Sequence, residues 1–240
     1  MQTKELLGLY QKDVKEGIRI GKIQIIISFF YSFFLIGIFS VYLPLLATGV
    51  GKNHITTIVL SLINYMPFIV IFSMMFLGNS LIQNLIAREK TKKTILPLLC
   101  LGIKPRTFWL SKLISVFTIS FVSAMISIFI IVFIVLFLDY GAIVSHVRLI
   151  ILNIVFIPLF PLFFMGLSGL LYMISLKFWP VSLLFMTIPF FLLPYWNKII
   201  LKNIFLVIGL VIIGILLIAL TGYLAGRVSR EQLSGVFEQT

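Results

Sequence analysis

The chain has 240 residues, of which 61% are hydrophobic and 11% charged, with a mean hydropathy of +1.19. Soluble domains contain about 45–50% apolar and about 25% charged residues, so this composition excludes a soluble globular protein and predicts an integral membrane protein. The formal net charge of +12 comes from basic residues at the ends of apolar runs. That distribution is typical of membrane topology and contact with anionic lipid, and it argues against a nucleic-acid partner.

The first 22 residues predict an amphipathic helix. Leu6, Tyr10, Val14 and Ile18 recur every four residues among basic side chains. A basic amphipathic helix of this kind lies in the membrane interface with its cations towards lipid phosphates. We therefore expect an interfacial helix over residues 1–22, a membrane domain over residues 23–226 and a short tail over residues 227–240.

Six apolar stretches make up the membrane domain. They cover residues 23–47, 55–83, 108–138, 149–174, 178–194 and 199–226. Because about 20 helical residues cross the hydrocarbon layer, five of the stretches are long enough to span it. The fifth contains Pro180, Pro189 and Pro194, so it is expected to be short, kinked or broken. The predicted fold is an all-α bundle of six transmembrane helices.

The basic residues predict the orientation of these helices. With six spans, fifteen of the nineteen Lys and Arg residues fall on the side of both termini and of the central segment. Only Lys52, Arg148, Lys198 and Lys202 fall on the other side. The positive-inside rule then predicts a multi-pass protein of the plasma membrane with cytoplasmic N- and C-termini, and the short outer loops exclude an extracellular domain.

No catalytic or metal site is expected. Intramembrane enzymes need ionisable or nucleophilic groups at depth, and the predicted spans contain essentially none. His54 and His146 lie far apart, Cys100 is the only cysteine, and neither HExxH, GxSxG nor a complete phosphate-binding loop is present. The chain is therefore expected to be a non-catalytic membrane subunit.

Uncharged polar and small residues occur within the spans. Asn64 and Asn79 on the second span are expected either to line a wet passage or to hydrogen-bond to neighbouring helices. Small residues allow helices to pack closely, and structural packing is the interpretation we favour for them. They are Ser111, Ser115, Ser120, Ser123, Ser127, Gly166, Gly169, Gly222 and Gly226.

The central segment, residues 88–112, is a basic stretch between two spans, REKTKKTILPLLCLGIKPRTFWLSK, with seven Lys and Arg residues. Within it Ile95, Leu98, Leu99 and Leu101 have helical spacing, and Thr91 or Thr94 is placed to cap such a helix. A short apolar-faced helix in a basic loop requires a covering surface. The headgroup layer and a cytoplasmic partner protein are the two candidates.

This segment resembles the one that joins the second and third spans in the permeases of type-2 ABC exporters, of the form RERGTLELLLATPVSRxxLLLGK. The matching residues are Arg88, Glu89, Thr94, the paired Leu98 and Leu99, and the closing Lys112. The chain departs from the pattern at Thr91 and Leu96, where the family has acids, at Lys93, where it has Gly, and at Pro97. With the interfacial helix, six spans and small outer loops, the likeness covers the whole chain.

The resemblance implies that residues 91–101 form a coupling helix, with Arg88, Glu89, Thr94, Ile95, Leu98, Leu99 and Lys112 forming the ATPase-coupling segment. It also implies two cytoplasmic ATPase subunits that bind ATP and Mg, a second permease copy or paralogue, and no cofactor in this chain. The function implied is export of a lipophilic or amphipathic cargo, such as a peptide or an antimicrobial. The alternative is a non-transporting scaffold whose basic loop binds anionic lipid.

Overall fold

The computed structural model describes residues 2–38, 54–139, 158–174 and 204–229, with single residues between 141 and 154. Within these ranges the regular elements are helices and no strand occurs, which confirms the all-α fold class. The helices are α1 (Gln2–Ile20), α2 (Lys22–Gly37), α3 (His54–Thr91), α4 (Ile95–Cys100), α5 (Pro105–Leu138), α6 (Leu159–Ile174) and α7 (Ile204–Ala225).

Among the residues that the structure describes, two helices are long and apolar enough to cross a membrane. They are Ile55–Thr91, with 37 residues, and Pro105–Leu138, with 34. At 1.5 Å per residue each measures about 50 Å, which exceeds the roughly 30 Å of hydrocarbon. A third crossing results if α1 and α2, which meet at a 68° bend, are counted together. The other apolar helices are shorter, and the fifth predicted span, residues 178–194, lies outside the described residues.

Helix α3 forms the centre of the bundle, packed against α2, α5 and α6. Leu62, Ile69 and Leu81 are completely buried along its length, and the largest fully buried side chain, Trp109, belongs to α5. The Nε1 of Trp109 donates a hydrogen bond of 3.0 Å to the carbonyl oxygen of Gly166 on α6. This bond satisfies the indole where water is excluded.

The small residues of the spans allow this packing, as the sequence predicted. All five serines of the α5 row are buried, from Ser111 to Ser127. A Cβ on Gly169 would lie 2.6 Å from Cδ1 of Ile82, and one on Gly222 would lie 3.2 Å from the Trp109 ring. Helices α6 and α7 therefore approach α3 and α5 at distances that larger side chains would prevent.

Helix α1 lies against the ends of α3 and α5. It buries Leu9, Asp13 and Gly17, whereas the predicted apolar row of Leu6, Tyr10, Val14 and Ile18 is half-buried or, at Ile18, exposed. The face that contacts protein is thus offset from the face that periodicity indicated, and it contains an acid. Gly21, at the bend between α1 and α2, leaves no room for a side chain, because its Cβ would lie 2.3 Å from Leu81.

The central segment is more helical than the sequence suggested. Helix α3 continues to Thr91, eight residues beyond the predicted end of its apolar stretch, and α5 begins at Pro105 instead of residue 108. Arg88 and Glu89 are therefore residues of a long helix. What remains between the two helices is a connecting segment, residues 92–104, that contains the six-residue α4.

Two left-handed residues close the turns at the ends of this segment. Lys93 has φ 54°, and the next amide, that of Thr94, donates to the Glu89 carbonyl oxygen at 3.1 Å. Gly102 has φ +83°, and the Ile103 amide donates to the Leu98 carbonyl oxygen at 3.2 Å. Both turns have the hydrogen bonding of a Schellman motif, which satisfies the last carbonyl groups of α3 and α4.

The predicted capping by threonine was wrong. Thr94 occupies the position before α4, but its side chain makes no capping hydrogen bond. Its Oγ1 donates instead to the carbonyl oxygen of Glu89 at 3.4 Å, and the Thr91 hydroxyl donates to the carbonyl oxygen of Arg88 at 3.1 Å. Both hydroxyls thus bond to the last turn of α3.

Candidate functional site

A buried group of charged residues joins α1 to the ends of α3 and α5. We call it the ionic cluster: Lys12 and Asp13 of α1, Glu89 of α3, and Ser111 and Lys112 of α5. The Nζ of Lys112 lies 2.5 Å from Oδ1 of Asp13 and 2.9 Å from Oε1 of Glu89. The same Glu89 oxygen accepts a hydrogen bond of 3.0 Å from Nζ of Lys12. The Ser111 hydroxyl donates to Oδ2 of Asp13.

The cluster is neutral and largely removed from solvent. The side chains of Asp13, Lys112 and Glu89 are 1%, 2% and 4% exposed, while Lys12 is 45% exposed. Two cations balance two anions, as is required where the penalty for leaving a charge unpaired is several kcal/mol. Oε2 of Glu89 is buried and makes no hydrogen bond to the described residues. The arrangement fixes the middle of α1 relative to the ends of α3 and α5.

Burial and pairing shift the pKa values of two members. Burial raises the pKa of Asp13 above its usual value, against the opposing effects of Lys112 and of the Ser111 hydroxyl. Partial burial alone would lower the pKa of Lys12, but the charge and hydrogen bond of Glu89 outweigh it and the pKa is raised. Lys12 therefore remains a cation at neutral pH.

A second set of ion pairs extends the contact along α1. Glu16, one turn beyond Lys12, lies 3.7 Å from Nε of Arg88 and 3.8 Å from the guanidinium of Arg19. Gly17 faces α5, since a Cβ there would lie 2.8 Å from Cδ1 of Ile119. Charge pairs and close packing together hold two turns of α1 on α3 and α5.

The connecting segment packs its apolar residues inward. Ile95 and Leu99 are 1% and 5% exposed and belong to the chain's own core, and Leu98 is partly buried against it. The sequence predicted that these three side chains form a face for a partner. In the structure this face is covered by the chain itself, since Ile95 and Leu99 are part of its core.

A different surface of the connecting segment is exposed. Pro97 and Cys100 are exposed, and Leu101 is 78% exposed. This tip is surrounded in sequence by basic residues, of which Lys92, Lys93 and Lys104 are all exposed. We call this surface the basic tip. It offers one large apolar side chain within a positively charged rim.

The structure separates the predicted site residues into two groups. Arg88, Glu89, Thr94 and Lys112 meet around the end of α3, with Glu89 and Lys112 in direct contact. Asn64 and Asn79 lie elsewhere on α3, Asn64 exposed and Asn79 buried, and neither belongs to the ionic cluster.

The sequence analysis missed Lys12, Asp13 and Ser111. One signal for Asp13 was present, because it lies between Leu9 and Gly17 at intervals of four residues. An acid in a stripe that is otherwise apolar or small requires a partner when the stripe is buried. The partner, Lys112, is 99 residues away in sequence.

No group of three or more His, Cys, Asp or Glu side chains suitable for a metal ion occurs among the described residues. The chemistry that the ionic cluster offers is electrostatic, namely fixed charges that link helix ends. Comparison with known proteins adds no identification: no family model matches the chain, and neither a curated protein nor a solved structure matches it.

Proposed function

We propose that the chain is the permease subunit of an ATP-driven exporter of the type-2 ABC class, with the basic tip as its contact with a separate ATPase. The observation that carries the proposal is the basic tip itself. A large exposed leucine inside a cationic rim sits between two helices long enough to cross a membrane. Exposed apolar residues within a charged rim are typical of protein interfaces.

The proposed topology has six spans with both termini and the basic tip on the cytoplasmic side of the plasma membrane. The distribution of Lys and Arg supports this orientation. Two permease chains, as a pair of copies or of paralogues, associate with two ATPases that bind ATP and Mg. The permease itself catalyses no reaction and has no cofactor.

Under this proposal, the ionic cluster transmits movement from the basic tip to helices α1, α3 and α5. When the ATPases close, they displace the basic tip. Because Ile95 and Leu99 are embedded in the core, the displacement reaches α3 and α5 directly. Because Lys112 binds both Asp13 and Glu89, α1 moves with them. Rigid-body motion of these helices then changes the side to which the passage opens.

The proposed cargo is lipophilic or amphipathic, such as a peptide or a membrane-active antimicrobial. Between residues 55 and 87 and between residues 113 and 138 the two long helices contain no Asp, Glu, Lys, Arg or His. Ions and sugars require polar groups along their path. Transport and efflux of apolar cargo are compatible with such charge-free helices.

The test is co-purification from the native membrane. The tagged full chain is extracted in mild detergent, and peptides of an ABC ATPase and ATP hydrolysis are measured in the same fraction. We expect both with the wild-type chain and their loss with Leu101→Asp. The matched control is Leu7→Asp, which places the same charge at a 56% exposed leucine of α1 and should retain the ATPase.

Retention of the ATPase by Leu101→Asp would contradict the basic tip as the docking surface. Absence of any ATPase from the wild-type fraction would favour the alternative, a scaffold that binds anionic lipid. The three exposed lysines of the basic tip are the observation that supports this alternative.

A further inference from the structure

A second cationic site lies where α5 meets the end of α7, and it uses two arginines that the ionic cluster does not contain. Arg106 is in the first turn of α5, and Arg227 follows the last turn of α7. Both are exposed. Among the described residues neither arginine forms an ion pair, so neither positive charge is balanced by an acid there.

Arg106 packs against the glycine face of α7. A Cβ on Gly222 would lie 3.9 Å from Nε of Arg106, and a Cβ on Gly226 would lie 3.7 Å from its Cβ. Both distances are those of ordinary van der Waals contact, so the arginine side chain lies directly on this face of the helix. The Gly222 and Gly226 pair, which the sequence analysis assigned to helix packing, thus also forms the surface on which the guanidinium rests.

Arg227 is held in place by the same turn. Its guanidinium carbon lies 4.7 Å from the ring centroid of Tyr223, and Nη2 donates to the tyrosine hydroxyl. Tyr223 is 52% exposed at the end of an apolar helix, and tyrosine is enriched at the level of lipid headgroups. Arg227 therefore directly follows Gly226, the glycine against which the Arg106 side chain packs.

We infer that Arg106 and Arg227 bind the phosphate of an anionic phospholipid headgroup, with the acyl chains along the apolar surface of α7. Charge complementarity carries the assignment, since guanidinium groups form bidentate hydrogen bonds with phosphate oxygens. The surface below the arginines is suited to acyl chains, because Ile213, Leu216 and Leu220 of α7 are all more than half exposed. A soluble anion has no acyl chains and would not contact that apolar surface.

The test is native mass spectrometry of the full chain in detergent, titrated with phosphatidylglycerol and, separately, with phosphatidylcholine. We expect the wild-type chain to prefer phosphatidylglycerol. Each basic residue near a membrane contributes about 1 kcal/mol of binding to anionic lipid, which is about fivefold in affinity. Arg106→Gln and Arg227→Gln should each reduce the preference about fivefold, and the double variant about 25-fold.

Two controls separate a defined site from a generally basic surface. Lys92→Gln removes an exposed charge from the basic tip and should leave the preference within about twofold of wild type. The pair Arg106→Lys and Arg227→Lys keeps the charge, loses the planar fork and should give an intermediate preference. This pair also serves if the glutamine double variant fails to fold.

Three results would overturn the inference. The first is an unchanged lipid preference in the double variant. The second is an equal loss in Lys92→Gln, which would mean that the whole basic surface attracts lipid without a site. The third is displacement of phosphatidylglycerol by millimolar inorganic phosphate, which would indicate a site for a soluble anion.

Discussion

The two ends of α5 have opposite distributions of polarity. Its first two turns bury Ser111 and Lys112 in contact with α1 and α3. Its last turns expose Phe129, Phe133 and Phe137, each by more than 60%. In a membrane an exposed phenylalanine has no cost, whereas a buried lysine requires partners. The charged end therefore contributes polar links between the helices, whereas the aromatic end presents an exposed apolar surface.

The largest expected effect comes from removing the central cation. Lys112→Met leaves Asp13 and Glu89 buried without it, and we expect the free energy of unfolding to fall by about 3–5 kcal/mol. The measurement is reversible unfolding in mixed micelles, followed by tryptophan fluorescence, to which the buried Trp109 contributes. Phe133→Leu, at the other end of the helix, is the control and should change the free energy by no more than about 0.5 kcal/mol.

A second substitution sharpens this test. Adding Asp13→Asn to Lys112→Met removes one of the two anions left behind, so the double variant should be more stable than Lys112→Met alone. Equal or greater destabilisation in the double variant would contradict the pairing of Lys112 with Asp13.

The next effect is on the pH dependence of stability. Burial raises the pKa of Asp13, so the folded chain binds its proton more tightly than the unfolded chain does. The stabilisation by that proton is complete below the unfolded pKa of about 3.9 and is lost as the pH rises through the folded value.

Asp13→Asn should abolish this component of the pH dependence. Unfolding of the wild type and the variant, compared from about pH 4 upwards, should show the wild type losing stability relative to Asp13→Asn and then reaching a plateau. Phe129→Leu, far from the cluster, should follow the wild-type profile. A constant difference between wild type and Asp13→Asn at all pH values would show that the pKa of Asp13 is not raised.

The smallest effect concerns backbone strain at the charged end. Lys93 adopts φ 54°, a conformation that glycine tolerates and other residues adopt at a cost of about 1 kcal/mol. Lys93→Gly should therefore raise the free energy of unfolding by up to about 1 kcal/mol. Lys92→Gly, at the preceding residue without a left-handed backbone, should lower it. Destabilisation by both changes to a similar extent would contradict this account of the turn.

Much of the helical architecture could be predicted from the sequence. Hydropathy located α2, α3, α5, α6 and α7, since runs of apolar residues and their length are local properties. The small residues at Gly169 and Gly222 were also interpreted correctly as packing positions. The exact end of α3 was missed, because Arg88 and Glu89 are polar residues that continue a helix when ion pairs to α1 are available.

The ionic cluster and the covered face of α4 could not be predicted in the same way. Periodicity shows that Ile95 and Leu99 share a face, but it does not show whether the same chain or a partner covers it. The direction of α4 depends on the turn at Lys93, which has a left-handed backbone. Lysine does not favour that conformation as glycine does, so the turn could not be predicted from the residue type. Likewise, the pairing of Asp13 with Lys112 depends on the placement of α1, which long-range packing decides.

Because Lys112 is buried, its positive charge is accessible in the unfolded chain but not on the surface of the folded protein. Under the proposed topology, this ammonium group flanks an apolar stretch during membrane insertion and favours retention of that flank on the cytoplasmic side. After assembly it neutralises carboxylates in the interior and adds nothing to the potential felt by approaching lipids or proteins. One lysine thus acts at two successive stages. Because it is buried in the folded protein, it does not contribute to a map of surface charge.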